Sequence, residues 1–206
     1  DQSDFDMDFE KFQNAYRLEF AEHRLPAALQ EYQNIEQSAQ NRTTAQYCQL
    51  AQARILAKQG QFSAAIQACR NCRKTPVESF QLYTSGLLKE LELLDTLIPS
   101  NQSYCEDLTV ALKSLFAVVE NGGFLSPAFR VFVFHKAAAF YEKYRNNLTG
   151  PLGTDLPRLR QIIHIESQSL AFLETFGNIP RDALKQTLWK IENSDQYAFI
   201  LNAGNQ

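Results

Sequence analysis

The chain predicts an all-α fold, an antiparallel stack of helix pairs with about eight helices, and three observations lead there. Apolar residues recur three and four apart through most of the 206 residues. Links containing Gly, Pro, Asn or Ser interrupt that pattern about once per helix length. No stretch shows the strict alternation of a half-buried strand. Links this short make successive helices antiparallel neighbours.

Taken in order, residues 1–8 form an acidic N-terminal tail, and Phe9, Phe12, Tyr16 and Phe20 then define the apolar face of a first helix. Pro26 suits the first turn of a second helix, where a missing N–H costs nothing. That helix carries Ala28, Leu29, Tyr32 and Ile35 inward. Leu50, Ala53, Leu56 and Ala57 mark a third helix ending at Gly60, and Phe62, Ala65, Ile66 and Cys69 a fourth. Leu25, Ala28, Leu29 and Ile35 match Phe62, Ala65, Ile66 and Cys72 at an offset of 37 residues. This is close to the period of about 34 residues of tetratricopeptide helix pairs, so residues 9–76 read as two such repeats and the whole as a tetratricopeptide-like α-solenoid. A pair of this kind cannot bury its own apolar face alone.

Residues 77–206 read as further stacked helices in the same single domain. Thr75, Pro76 and Glu78 make a helix start with a capping box. Phe80, Tyr83, Leu87, Leu88, Leu91, Leu94 and Leu97 follow as one broad face that stops near Pro99. Ser103 and Glu106 open the next helix, whose stripe Leu108, Ala111, Leu112, Leu115, Phe116 and Val119 runs to the stop at Asn121, Gly122 and Gly123. Ser126 and Pro127 start the most apolar helix, with Phe129, Phe132, Val133, Phe140, Tyr141 and Tyr144 on one face and Val131, Phe134 and Ala138 on another. Apolar residues on both faces predict burial on both. A loop is expected near 146–156, then a helix with Leu159, Ile163, Glu166 and Phe176 closed by Gly177. A last helix is expected from about Pro180 through Leu184, Leu188, Trp189 and Ile191, with Gln196 to Leu201 either continuing or breaking it.

Composition narrows the function. A net charge of -3 without a basic stripe argues against nucleic-acid binding. Arg70, Arg73 and Lys74 fall in the last turn of a predicted helix, where cations complement the helix dipole. The apolar run Val131 to Phe134 is bounded by Arg130 and His135, far short of the roughly 20 residues of a spanning helix. No membrane insertion and no secretory signal are expected, and a cytoplasmic location is. Cys48, Cys69, Cys72 and Cys105 lie within helical patterns and read as reduced, small core residues. Asn41, Asn101 and Asn147 begin Asn-x-Ser/Thr triplets and read as cap and turn residues.

Catalytic chemistry is not expected, nor is a cofactor or a bound metal. Cys69 and Cys72 have the spacing of a thiol or metal motif, but zinc needs two further ligands and redox use places the motif at a helix start after a strand. A thiol or metal protein is therefore one alternative. His23, His135 and His164 stand apart from one another. A second alternative is a peptide-binding co-chaperone groove that clamps a carboxylate. Its surface would be Gln46, Gln49 and Gln52 with Arg54 as the one cation.

Ala45 to Arg54, with Tyr47, Cys48, Gln49, Leu50 and Ala51 followed by Ala53 and Arg54, resembles a repeat helix of the 40-kDa huntingtin-associated protein (factor VIII intron 22 protein) family, with Tyr47 in place of its tryptophan. Gln30 to Ile35 is similar to that family's preceding helix, and Asp182 to Gln186 with Trp189, Asp195 and Gln196 to its last helices. The good match covers about a quarter of the chain. A long Pro-rich acidic segment between the repeats and the C-terminal helices is missing, and 82–146 has no counterpart. The resemblance implies a non-enzymatic scaffold that binds and stabilises huntingtin, a large helical-repeat protein. It also implies recruitment to early endosomes through an endosomal Rab GTPase, in the cytoplasm and also the nucleus. Tyr47, Arg54, Phe132, Phe134, Tyr141, Tyr144 and Trp189 are the expected partner contacts, since aromatic and arginine side chains anchor large interfaces.

Overall fold

The computed structural model describes residues 9–74, 79–121, 125–148, 156–176, 187–190 and 197–200. The acidic tail, the start signal Thr75 to Glu78, the Gly122–Gly123 stop, most of the expected 146–156 loop, Gly177 and the expected helix start at Pro180 lie outside them. Within them the fold is an all-α stack of eight helices: α1 (Phe9–Tyr16), α2 (Leu25–Ser38), α3 (Arg42–Lys58), α4 (Phe62–Lys74), α5 (Phe80–Leu97), α6 (Tyr104–Asn121), α7 (Pro127–Tyr144) and α8 (Leu156–Phe176). A π-helical turn, Arg17–Ala21, extends α1. Each helix packs on the next, and α3 also touches α5, α5 touches α7 and α6 touches α8. Contacts between second neighbours make two layers of helices, the solenoid-like stacking that lets each pair cover its neighbour's apolar face.

Local chemistry sets most helix ends. The Asn41 side chain accepts from the Thr44 N–H at 2.7 Å, capping α3. Ser79 caps α5 by accepting from Leu82 N–H at 3.3 Å. Ser126 does the same for α7, with Pro127 in its first turn. At the end of α3, Gln61 N–H reaches Leu56 O at 2.9 Å and Gly60 N–H reaches Ala57 O at 3.0 Å, with Gly60 at φ +74°. This is the Schellman closure, in which a left-handed residue lets the last carbonyls be satisfied.

The two N-terminal pairs keep the sequence offset in three dimensions: α2 and α4 begin 37 residues apart, as do the helix ends Ala21 and Lys58 and the left-handed residues His23 and Gly60. The first closure is looser by one residue. Glu22 N–H bonds Arg17 O at 2.9 Å and Arg24 N–H bonds Leu18 O at 2.8 Å. This widened turn changes which side chain faces inward. Phe20, expected in the core, is half exposed at 50%, and Glu19 is fully buried in its place.

Two apolar cores result. Phe12, Ala15, Leu18, Ala28, Tyr32, Ile35, Cys48, Ala51 and Ile55 form the N-terminal core from α1, α2 and one side of α3. Ala53, on the other side of α3, joins the larger core built from α4 to α8. Small residues allow close approach: a Cβ on Gly86 of α5 would sit 3.6 Å from Cys69 O of α4. Buried Gln46 donates to Cys72 O at 3.1 Å, a carbonyl in the last turn of α4, where helix carbonyls look outside the helix for donors.

Two further expectations change. The α7 helix is not covered all round: Val133, Phe134, Ala137 and Tyr144 are buried, but Phe132 is 48% exposed. The expected last helix through Leu188 and Trp189 is instead β1 (Thr187–Lys190), paired antiparallel with β2 (Tyr197–Ile200). Thr187 faces Ile200 and Leu188 faces Phe199 across the pair. Branched and aromatic residues are strand-favouring types, and the backbone ladder takes the place of the helix that the spacing predicts.

The paired left-handed residues test the turn analysis. Gly60→Ala places a Cβ in open space, so its cost is backbone strain alone, about 1 kcal/mol. His23→Gly relieves the same kind of strain and shifts stability the other way by a smaller amount. Urea denaturation midpoints of the two variants should move in opposite directions with unchanged m values.

Candidate partner-binding surface

At the seam between the first two pairs, Glu19 on the π-helical turn meets the last two turns of α3. Arg54 donates from Nε to Oε1 and from Nη2 to Oε2, each at 2.7 Å, and Lys58 Nζ donates to Oε1 at 2.8 Å. Tyr32 of α2 donates its hydroxyl to Oε2 at 3.2 Å. Burial alone would raise the Glu19 pKa, but the hydrogen bonds and charges of Arg54 and Lys58 outweigh it and hold the carboxyl below its ordinary value. Phe20, the next residue, turns its ring outward beneath the same cations. Arg54 Cζ lies 5.3 Å and Lys58 Nζ 4.8 Å from the ring centroid.

A second buried carboxylate is held differently. Glu90 of α5 accepts from Arg70 Nε at 2.7 Å and from Arg73 Nη2, and Arg70 Nη2 also pairs with Asp107 of α6 at 2.9 Å. Two guanidinium groups face two carboxylates there. The Arg70 and Arg73 cations thus tie α4 to α5 and α6, a role beyond their place at a helix end. Farther along, Arg130 joins Glu166 of α8 at 2.7 Å and Val119 O of α6 at 2.9 Å.

The expected contact residues fall into different places. Tyr47 is half-buried, edge-on to Phe12 at 5.0 Å, with its hydroxyl bonded to that of Tyr16. Arg54 is engaged by Glu19. Phe134 is buried beside Phe116, and Tyr141 is half-buried against the same ring. Tyr144 is buried and donates to Asp95 Oδ1 at 2.5 Å. Both Phe134 and Tyr144 therefore face the chain's own core, because the α7 face toward α6 and α5 is the one that carries them. Phe132 does face solvent, stacked on Phe129 with centroids 6.1 Å apart and Lys136 Nζ 5.8 Å from its own centroid. Trp189 lies on β1, and its side chain is outside the described ones. The structure brings together neither the α3 pair with the α7 aromatics nor the glutamine row with a groove: Gln46 is buried, while Gln49 and Gln52 donate to Glu36 at 2.7 and 2.5 Å.

Buried Glu19 and half-exposed Phe20 are the two residues of this site that helical spacing misses. A signal for them exists in the chain, since Arg54 and Lys58 stand four apart at the end of a helix whose other positions there are apolar or small.

All four cysteines are buried thiols without disulfides. Burial pushes Cys48 and Cys69 up to about 12 and Cys72 up to about 11, which disfavours the reactive thiolate. Among the described residues no group of three His, Cys, Asp or Glu side chains is placed to share a metal. No described helix is long and apolar enough to cross a membrane. No family model, curated protein or solved structure matches this chain.

Glu19→Gln removes the counter-charge of two cations and should cost about 2 kcal/mol, below the full cost of breaking a buried pair because Arg54 and Lys58 reach solvent. The pH dependence has a fixed sign. A carboxyl depressed in the folded state contributes fully above its ordinary value, near 4.5, and the contribution is lost as pH falls through the folded value. Urea midpoints measured down to pH 3 should fall less steeply for Glu19→Gln than for the parent. Separately, Cys48, Cys69 and Cys72 should resist an aromatic disulfide reagent at pH 8 and react at once in 6 M guanidinium, a difference read by absorbance.

Proposed function

We propose that the chain is a non-enzymatic helical scaffold that binds and stabilises a large protein partner. The observation that carries this reading is the stacked Phe129 and Phe132 pair on α7, with Phe132 half exposed beneath Lys136. A solvent-facing aromatic stack backed by the rigid face Val133, Phe134 and Ala137 has the character of an interface anchor. The resemblance at Tyr47 to Arg54 makes huntingtin the partner of this proposal, and an endosomal Rab GTPase the link to early endosomes. Tyr47 serves this reading from within: its packing on Phe12 and Tyr16 shapes the N-terminal pair that a helical-repeat partner would abut.

The co-chaperone clamp draws less support, since Gln46 is buried and Gln49 and Gln52 are engaged by Glu36. The thiol or metal alternative draws less still, given the raised pKa values of Cys69 and Cys72.

Co-expression with huntingtin tests the proposal. The two proteins should co-purify, and Phe132→Asp, a change at an exposed position, should weaken the complex about tenfold or more. A chain that is soluble alone and fails to co-purify would sink it.

A further inference from the structure

Among the described residues, the two buried-carboxylate clusters differ in one respect. Around Glu90, Arg70 and Arg73 meet two anions, Glu90 and Asp107. Around Glu19, Arg54 and Lys58 meet Glu19 alone; no second carboxylate among the described residues pairs with either. The first cluster is charge-balanced, whereas the second carries one surplus positive charge at the surface of a chain whose net charge is -3.

Both cations keep donors beyond those that Glu19 takes. Glu19 takes two of the five N–H groups of Arg54 and one of the three of Lys58. The side chains of Arg54 and Lys58 remain 33% and 40% exposed. Beside them is the Phe20 ring, half exposed and stacked on Tyr16 at 5.8 Å. An anion there would meet donors whose direction is already set by Glu19, so little ordering entropy opposes binding. An apolar group next to that anion would cover the ring.

We infer that Phe20, Arg54 and Lys58 form a docking site for an acidic segment of a partner protein, in which a glutamate or aspartate side chain supplies the missing fourth charge and a neighbouring aliphatic residue rests on Phe20. The inference rests on the reading of the chain as a partner-binding scaffold and gives that partner a chemistry. The carboxylate accepts from Lys58 Nζ and the free Arg54 N–H groups, and the cluster becomes balanced like that of Glu90. Such recognition is salt-sensitive, because the cations remain in contact with solvent.

The probe is a fluorescein-labelled hexapeptide alternating glutamate with leucine, compared with its glutamine counterpart by fluorescence anisotropy on the full chain. The glutamate peptide should bind saturably, and the glutamine peptide at least tenfold more weakly. Lys58→Met keeps the apolar stem and leaves the two-pronged bond of Arg54 to Glu19, so the circular dichroism spectrum should hold while affinity falls about tenfold. Phe20→Ala should weaken the same peptide independently. Equal binding of the two peptides, or unchanged affinity in both variants, overturns the site. Displacement by inorganic phosphate at equal concentration also overturns it, as that marks a generic anion site. A tenfold gain in affinity on deleting residues 1–8 overturns it too, since the chain's own acidic tail would then be the occupant. Failure of the unsubstituted chain to bind the glutamate peptide, with huntingtin co-purification intact, refutes the docking site alone, and the reverse result refutes the huntingtin proposal alone.

Discussion

A helix that must be buried on two sides is the constraint from which the rest of this structure follows. On α3, Cys48, Ala51 and Ile55 enter the core shared with α1 and α2, while Ala53 enters the core shared with α4 to α8. A strip that serves two cores cannot be wide on either side. Apart from Ile55 the residues that do so, Cys48, Ala51 and Ala53, are small, and small residues bring the neighbouring backbones close. Neither N-terminal pair therefore has a complete core without the other, and the stack is held by neighbour contacts rather than by one central cluster.

The Glu19 carboxylate and the Gln46 amide N–H are paired at this seam, which offsets the penalty of burying them, while Gln46 Oε1 is buried without a partner among the described residues. Gln46 reaches across to a carbonyl at the end of α4, and Glu19 is reached by four donors on three side chains from two helices. A buried carboxylate with its own cations makes other registers costly, because any shift that breaks the contacts strands a charge. Glu90 plays the same part between α4, α5 and α6. The two clusters thus fix helix order along the stack while the apolar contacts, which are not directional, supply most of the attraction.

The surface divides accordingly. On α7 the aromatic residues that face α5 and α6 are absorbed by the core, and Phe132 with Phe129 remains outside. On the N-terminal pair the π-helical turn moves Phe20 outward under two cations. Both exposed rings sit on rigid helical elements, which limits the entropy lost when a partner covers them.

Helix identity and most boundaries were legible in the chain because their causes are local. Asn41, Gly60, Ser126 and Pro127 act within a few residues of themselves, through caps and left-handed closure, and the 37-residue offset carried over to the helix ends unchanged. Which face of a helix points inward was legible only where the spacing stayed regular. A single widened turn exchanged Glu19 for Phe20, and nothing in that segment's periodicity marks the change, since it depends on Arg54 and Lys58 arriving from a helix some 35 residues later. The same limit applies to Phe134 and Tyr144, whose burial is set by the angle at which α7 meets α5 and α6, and to Leu188 and Trp189, whose helical spacing gave way to cross-strand pairing with Tyr197 to Ile200. Local sequence thus states where helices begin and stop, while the burial of each charge and aromatic ring awaits the partner that tertiary packing brings to it.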